Sequence, residues 1–253
     1  MNQLSHQYGT YEKQEELLAM IKDIDQLFYD NDIEYSLSGG SLLGAIREKG
    51  FIPWDDDIDI MVDRKNYNKI LALFWQGNGS QYRLNRYLWV ERIQRTDDKR
   101  DGLFASTIDV FVMDHCPDNA VIQKIKLFLI MMLQGMMKEE HVFAGQSGIA
   151  KACLGITWMM GKPFPDDLKY RWYQKAAQIG NEKESKYITG YTDLFKCLKY
   201  KYTNQLFQRI IRQPFEDSTL PITAEYDSYL KTQFGDYMTP PEEKDRIPVH
   251  TLF

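Results

Sequence analysis

The spacing of apolar residues predicts an alternation of helices and strands in the first half of the chain. Leu17, Met20, Ile21, Ile24 and Phe28 recur at helical intervals, which predicts an amphipathic helix over residues 11–30. Further along, short apolar runs bounded by glycine or polar residues predict shorter elements. In chain order these are strand 33–37, helix 41–49 with a stop at Gly50, an acidic strand from 55, helix 67–74, one or two strands in 82–95 and strand 104–114.

The last third of the chain carries the same kinds of signal. Residues 210–222 predict a hairpin, and residues 224–234 predict a helix that Gly235 stops. Pro240 and Pro241 then predict a rigid exit. Residues 139–200 predict only short helices, such as 172–179.

A glycine turn, Ser38-Gly39-Gly40-Ser41, separates the first strand from the next helix. Two glycines let the backbone turn tightly and approach a ligand closely, and Ser41 is predicted to cap the helix. Free N–H groups at a helix start favour a phosphate group. Most such turns only connect two elements, so this one alone does not establish a ligand site.

Alternating aspartates follow the turn. If the segment is extended, Asp55, Asp57 and Asp59 point to one face, with neighbouring Cα atoms about 7 Å apart. Like charges held this close favour a hard divalent cation with oxygen ligands. An EF-hand counted from Asp55 is excluded, because Ile60 stands where glycine is required and Asn66 where glutamate is required.

The apolar residues among these aspartates distinguish a strand from a solvated acidic loop. Ile58, Ile60 and Val62 alternate with Asp57 and Asp59, as expected for a strand with one face in a core. A metal site beside a phosphate site indicates nucleotide chemistry.

A second acidic position lies in the strand 104–114. Asp109 is flanked by Ile108 and Val110, so its carboxylate needs partners, either backbone groups or the metal site. Asp114 is the alternative. A cluster of arginines precedes this strand, either as outward charge on an edge strand or, at one position, as a contact to a phosphate or an anionic acceptor. Its members are Arg83, Arg86, Arg92 and Arg95.

Composition narrows the class of protein. The 253 residues are 43% hydrophobic and 26% charged, as in an ordinary globular protein, and the net charge of -5 argues against a nucleic-acid partner. Cys116, Cys153 and Cys197 are widely spaced, which predicts neither a disulfide framework nor a zinc site, and suggests a reducing compartment. Residues 1–16 do not resemble a signal peptide, and His250 is assigned no function.

The segment 121–137 is strongly apolar, but Lys124 and Lys126 interrupt it, so it is predicted to be a buried helix rather than a membrane span. Contact with a membrane surface is the second interpretation.

Two stretches of the chain resemble the LicD family of the nucleotidyltransferase superfamily, which includes the fukutin-type proteins. SGGSLLGAIREKGFIPWDDDIDIMV is similar to the family signature nearly throughout, and LPITAEYDSYLKTQFGDYMTPPEEKDR resembles its closing segment. The second stretch departs at Thr223, where the family has proline, and at Phe234, where it has tyrosine. The similarity spans about residues 15–250 and is weak in the middle.

The resemblance implies an α+β fold, with a mixed-sheet nucleotidyltransferase-like core over residues 1–117. A largely helical annex over residues 118–253 would end in a hairpin and helix that close the cleft. The implied activity is transfer of a substituted phosphate, phosphocholine or a polyol phosphate, from a CDP-linked donor to a hydroxyl of a glycan or glycolipid. The expected location is the cytoplasm, and peripheral contact with the inner face of the membrane is the alternative interpretation.

The resemblance also assigns roles to residues. Asp57 and Asp59 would hold Mg²⁺, or alternatively Mn²⁺, with Asp109 as third ligand or as base for the acceptor hydroxyl. Asp55 would support them. Arg47 would reach a phosphate, because its forked guanidinium suits phosphate oxygens, although its position off the apolar stripe also fits a solvated arginine. The donor would also contact Ser38, Gly39, Gly40 and Ser41.

Other classes of function are compatible with parts of the pattern. A metal-dependent glycosyltransferase uses an Asp-x-Asp motif, but usually after a longer nucleotide-binding half than residues 1–54. A haloacid-dehalogenase-type phosphatase requires threonine or valine where Met61 stands. A non-catalytic glycan-binding protein remains an alternative if the third carboxylate is absent from the cleft.

Overall fold

The structure is a computed structural model, and it describes residues 4–79, 81–100, 104–138, 148–193 and 197–248. His250 lies outside these residues. Helices and strands mix along the chain, so the predicted α+β class is confirmed.

Eight α-helices and nine strands lie in the described parts of the chain. The helices are α1 Leu4–Tyr8, α2 Tyr11–Asp30, α3 Gly39–Arg47, α4 Arg64–Trp75, α5 Ala120–Met137, α6 Gly148–Gly161, α7 Asp166–Ala177 and α8 Tyr226–Phe234. The strands are β1 Ser36–Leu37, β2 Ile58–Asp63, β3 Tyr82–Tyr87, β4 Val90–Arg95, β5 Thr107–His115, β6 Tyr187–Gly190, β7 Tyr202–Thr203, β8 Ile210–Phe215 and β9 Ser218–Thr223.

The chain divides into two compact units. Unit 1 comprises residues 1–87, 91–113 and 205–253, and unit 2 comprises residues 88–90 and 114–204. The predicted division at residue 117 stays a prediction about domains. The structure nevertheless groups residues 205–253 with the core rather than with the helical annex.

Unit 1 is built on a mixed sheet with strand order β1-β2-β5-β4-β3. β1 and β4 run antiparallel to their neighbours β2 and β5, whereas β2 and β5 run parallel to each other. Most buried positions of the two central strands are apolar, as expected when both faces of a sheet are covered, and the exceptions are Thr107, Asp109 and Asp114 of β5.

Helix α2 covers this core with the predicted apolar stripe, since Leu17, Ile21, Ile24 and Phe28 are fully buried. Helix α4 begins where Asp63 at the end of β2 accepts a hydrogen bond from the Asn66 N–H at 2.7 Å. This side-chain cap satisfies one of the free donors at the helix start and turns the chain directly from strand to helix.

The acidic stretch differs from the predicted strand in its starting point. β2 begins at Ile58, so Asp55, Asp56 and Asp57 lie in the link before it rather than in the strand. The reason is pairing: the first residue of β5 opposite β2 is Ile108, which faces Ile58, and β1 pairs only through Ser36 and Leu37. A stretch without a ladder partner does not form a strand.

The C-terminal segment joins unit 1 through a two-stranded sheet, β8-β9, and helix α8. The Thr223 N–H donates to the Ser36 hydroxyl at 2.9 Å, and Glu216 Oε1 accepts from the Phe51 N–H at 3.0 Å. Gly235, with φ of +70°, ends α8 as predicted. After α3, however, the left-handed residue is Lys49, with φ of +59°, and not the predicted Gly50.

Unit 2 packs helices around a buried cluster that includes Ile130, Leu133, Tyr173, Ala177 and Tyr191. Lys126 of α5 is also fully buried, and its ammonium donates to the backbone oxygens of His115 and Ile179 at 2.8 and 2.9 Å. Helix α5 is, among the described residues, the one helix long and apolar enough to cross a membrane by length and composition. One side of α5 instead packs into this core.

Candidate active site

The link that carries the aspartates is held from the N-terminal side by helix α2. Gln14 is fully buried, and its side-chain amide donates to the backbone oxygens of Ile52 and Asp55 at 3.1 and 2.7 Å. Thr10, just before the helix, donates to the Pro53 oxygen at 2.6 Å. These bonds satisfy carbonyls that a strand would otherwise pair, and so they fix the link, which turns at Pro53 and Trp54, without a sheet partner.

The glycine turn lies directly against two of the carboxylates. A Cβ atom on Gly39 would stand 2.7 Å from Asp59 Oδ2, and a Cβ atom on Gly40 would stand 2.5 Å from Asp55 Oδ2. Gly39 also adopts a φ of +52°, which side chains disfavour. The turn therefore has two glycines because the carboxylates approach its backbone closely, at the positive end of the α3 dipole.

Helix α3 starts earlier than predicted. Ser38 is the N-cap residue, without a side-chain cap bond, and the helix begins at Gly39. The predicted capping role of Ser41 is wrong: its hydroxyl accepts the Asp59 N–H at 2.9 Å, which ties the first turn of the helix to β2. The Ser38 N–H donates to the Asp59 carbonyl at 3.0 Å and extends the same connection.

Asp59 and Asp109 are register partners on the parallel strands β2 and β5. Paired residues on neighbouring strands point to the same face and lie about 5 Å apart at Cα. The predicted association of these two positions, fifty residues apart in sequence, thus has a geometric basis in the sheet.

Asp109 faces a cation from the other side. Arg92 is its register partner on β4, and the guanidinium donates to Asp109 Oδ2 from Nε at 3.2 Å and from Nη2 at 3.0 Å. The Thr107 hydroxyl donates to Asp109 Oδ1 at 3.1 Å. Both members of the ion pair are 8% exposed. A buried carboxylate needs such partners, and here protein groups supply them.

A small pocket opens beside this pair. It is lined by Lys13, Asp56, Asp57, Arg92 and Asp109, together with Ala105 and Thr107. The Lys13 ammonium lies 3.8 Å from Asp56 Oδ2, and burial lowers the pKa of Lys13 although Asp56 and Asp57 oppose the change. The pocket therefore contains two cations and three carboxylates, a mixture suited to an anionic ligand that carries its own metal ion.

The carboxylates of the link crowd one another. Burial raises the pKa of Asp55 well above its ordinary value, and the neighbouring charge of Asp57 raises it further. A divalent cation would relieve this repulsion, and carboxylate oxygens are the ligands that Mg²⁺ prefers. The residues therefore fit a magnesium ion, with Asp57 and Asp59 as the predicted ligands.

A complete ligand set is not preassembled. Across the described ranges, no three histidine, cysteine or acidic side chains converge as a metal centre, and Asp109 is engaged with Arg92. The assignment of Asp57, Asp59 and Asp109 to a metal stays a prediction.

The remaining predicted positions are distributed around this site. Arg47 donates to the Tyr237 backbone oxygen at 3.2 Å and to Glu48 Oε1 at 2.7 Å. Its second terminal nitrogen, Nη2, is buried and has no hydrogen-bond partner among the described residues. Its predicted contact with phosphate stays a prediction. Asp114, the alternative to Asp109, accepts from the Asn181 side chain at 2.5 Å in unit 2.

The arginine cluster separates into different environments. Arg83 and Arg86 are on β3, the edge strand, where outward charge was one of the two interpretations. Arg95 pairs with Asp97 near the surface. Arg92 alone among the four is buried, because β4 lies between β3 and β5.

Sequence reasoning missed three contributors to the site. Lys13 and Gln14 occur on a helix that the pattern assigned only to packing. The signal for Gln14 was its place on the apolar stripe, three residues before Leu17, where a polar side chain requires a buried partner. Tyr229 of α8 accepts a long hydrogen bond, 3.4 Å, from the Gly39 N–H.

Comparison with known proteins identifies relatives of this chain. Residues 32–129 match the family model described as LicD/FKTN/FKRP, nucleotidyltransferase domain. The chain is 27% identical to the lipopolysaccharide cholinephosphotransferase LicD of Haemophilus influenzae, with 86% of this chain and 87% of that protein covered. It is also 41% identical to an uncharacterised protein of Rickettsia typhi over a segment of 63 residues. This segment covers 24% of this chain and 20% of that protein. The matched range contains the glycine turn, the acidic link, Arg92 and Asp109, and a LicD-family nucleotidyltransferase domain over residues 32–129 is confirmed.

Proposed function

We propose that this protein transfers a substituted phosphate, phosphocholine or a polyol phosphate, from a CDP-activated donor to a hydroxyl group of a glycan. The observation that carries the proposal is the pairing of Asp59 with Asp109 on adjacent parallel strands, beside the pocket that Asp57 and Arg92 share. The similarity to a lipopolysaccharide cholinephosphotransferase along 86% of the chain supports the same class of reaction.

The chemistry requires positioning and charge neutralisation more than covalent catalysis. Asp57 and Asp59 would hold the metal ion. When bound, Mg²⁺ would neutralise phosphate charge and orient the phosphate for in-line attack. Lys13 and Arg92 line the same pocket and supply positive charge from the protein itself.

We assign Asp109 to the acceptor side of the reaction. Its carboxylate lines the pocket, with one oxygen on Arg92 and the other on Thr107. A carboxylate in this position can accept the proton of an attacking hydroxyl while Arg92 holds its orientation. In its alternative role, as a third metal ligand, Asp109 would have to give up its contact with Arg92 in order to bind the metal ion.

A donor screen by thermal unfolding tests this function. CDP-choline, CDP-glycerol, CDP-ribitol and a nucleotide sugar such as UDP-glucose would each be added with Mg²⁺ or with EDTA. A ligand at about 100 times its Kd adds about 2.7 kcal/mol of stability. We expect a Tm increase from at least one CDP-linked donor that EDTA removes. An increase from UDP-glucose alone would instead support a glycosyltransferase.

A further inference from the structure

Helices α5 and α6 of unit 2 carry a concentration of exposed apolar side chains. Of the eighteen large hydrophobic residues that are exposed among the described ones, five lie on α5 and three on α6. We define the apolar face by six of them: Ile125, Phe128, Met131, Ile156, Met159 and Met160. Phe128 and Met159 are 60% and 66% exposed. Exposed apolar patches of this kind mark interaction sites.

The two halves of the apolar face belong to one packed helix pair. A Cβ atom on Gly135 of α5 would stand 2.3 Å from Thr157 Oγ1 of α6, and one on Gly161 would stand 2.5 Å from the Met136 oxygen. These glycines allow the helices to approach closely. The exposed residues therefore occur on adjoining helices rather than at scattered points of the surface.

Packing within unit 2 leaves this face uncovered. The other side of α5 contributes Ile130, Leu133 and Met137 to the buried cluster, yet only 39% of the helix is buried. A helix that is apolar on all sides is usually enclosed by protein or lipid. Because Lys126 is fixed in the core by two backbone oxygens, α5 cannot leave unit 2 to span a bilayer without losing those bonds.

The charges on the helix pair indicate what covers it. Neither α5 nor α6 contains an acidic residue, whereas lysines occur within each helix and directly after it, in a chain of net charge -5. Lys124 and Lys151 are exposed, and Lys162 lies with its ammonium 3.7 Å from the centre of the Trp158 ring. Tryptophan and lysine side chains together are typical of the boundary between acyl chains and headgroups.

A second copy of this chain fits the face less well. A symmetric dimer through it would bring two sets of lysines together without acidic partners on these helices. A membrane surface with anionic headgroups complements both properties of the face, its apolar side chains and its lysines.

We propose that the apolar face of α5 and α6 inserts into the headgroup region of an anionic phospholipid bilayer and attaches the protein to its surface. The apolar side chains enter the acyl boundary, and Lys124, Lys151 and Lys162 contact lipid phosphates. The attachment is interfacial, so α5 keeps its packing in unit 2. It depends on neither a donor nor a metal ion, and its test is independent of the transfer activity.

Vesicle flotation of the full-length protein tests this attachment. Phosphatidylcholine vesicles with and without about one third phosphatidylglycerol are compared, at low and at high salt. We expect binding to the anionic vesicles at least about tenfold stronger than to neutral ones, with the excess lost at high salt because the lysine contribution is screened. Equal binding to both, or no binding to anionic vesicles, would overturn the proposal.

Variants separate the two contributions. Phe128→Gln with Met159→Gln should lower the partition coefficient at least about tenfold, since two apolar side chains no longer leave water. Lys124→Gln and Lys151→Gln should each lower it about fivefold on anionic vesicles. The matched controls are Trp75→Gln, which replaces a side chain that is 92% exposed on unit 1, and Lys65→Gln on α4. We expect both control variants to bind vesicles as strongly as wild type.

Two outcomes would contradict the lipid assignment even if wild type floats. The Phe128 and Met159 variant could bind as well as wild type, which would remove the apolar face from the attachment. Alternatively, sedimentation could show that wild type is a dimer and that this variant is a monomer, while neither protein binds vesicles. That result would assign the face to a second copy of the chain. Circular dichroism and Tm of each variant confirm that it is folded.

Discussion

Asp109 is buried on β5, where it forms an ion pair with Arg92 of β4. The strand Ile108 to Val112 predicts that a carboxylate there needs a cation, and the sequence pattern suggested a shared metal ion. In the structure, Arg92 supplies that cation. On sequence grounds, Asp109→Asn without metal would be neutral or stabilising through relief of repulsion. The ion pair reverses that expectation, because the substitution leaves a buried guanidinium without its carboxylate.

Substitution of Arg92 measures the value of this pair. Arg92→Met should lower the free energy of unfolding by about 3–5 kcal/mol, because it leaves Asp109 buried beside Asp57 without compensation. Arg95→Met is the control, since its pair with Asp97 is exposed and should contribute about 1 kcal/mol or less. Urea denaturation gives both values, and equal losses would show that the buried pair has no special role.

The predicted metal ligands are tested by substitutions that keep side-chain volume. Asp57→Asn and Asp59→Asn should each lower kcat at least about 100-fold, because a metal ion contributes several kcal/mol to stabilisation of the transition state. Tm should stay equal or rise as repulsion among the aspartates falls. Asp30→Asn, at the exposed end of α2, is the control. Near wild-type activity of either variant at saturating Mg²⁺ would remove the metal assignment.

The two glycines of the turn should respond differently to a side chain. Gly40→Val would displace the Asp55 carboxylate, which is the end of a side chain able to move, so donor Kd should rise about tenfold or more with a modest loss of stability. Gly39→Ala should instead cost about 1 kcal/mol or more of stability, because φ is +52° there. Calorimetric titration and thermal unfolding measure the two effects. If Gly40→Val left donor binding unchanged, the turn would be a connector only.

At the scale of elements, the helices were predicted more closely than the acidic strand. The amphipathic stripe gave the bounds of α2, 11–30, because helical period is a local property of the sequence. Strand bounds depend on a partner: alternation extended the acidic strand back to Asp55, but pairing begins at Ile58. For the same reason, the pattern could not place Arg92 in an interior strand, since strand order arises from long-range contacts.

Helix α2 is predicted to position the acidic link. Gln14→Leu would leave the oxygens of Ile52 and Asp55 without their buried donor, which should cost about 1–3 kcal/mol of stability. It should also weaken metal-dependent donor binding, because the backbone that positions the Asp55 and Asp57 side chains is no longer held by Gln14. Gln26→Leu, whose exposed side chain bonds Asp30, is the control. A stability loss without any change in donor binding would limit Gln14 to a role in folding.

At the scale of the whole molecule, the candidate active site and the apolar face belong to different units. The residues of the pocket come from helix α2, the acidic link and strands β4 and β5, with Ala105 just before β5, all in unit 1. The apolar face is in unit 2, and its α5 half lies in the segment 121–137, whose sequence left both a buried helix and membrane contact open. The family motifs lie in unit 1 because the residues of the candidate site are there. Residues 139–200 contain no such motif, so the sequence did not predict a function for them.

The identity of the nucleotide released from a CDP-linked donor distinguishes transfer of a substituted phosphate from glycosyl transfer and from hydrolysis. Purified protein would be incubated with Mg²⁺, the donor that raises its Tm, and a glycan acceptor, and the products would be separated by anion-exchange chromatography. Transfer of a substituted phosphate breaks the bond between the bridging oxygen of the diphosphate and the phosphorus that is transferred, so it releases CMP. We predict CMP in equal amount to modified glycan, absent with EDTA and with Asp59→Asn. Release of CDP would indicate glycosyl-type transfer, release of inorganic phosphate would indicate a phosphatase, and either would contradict the account.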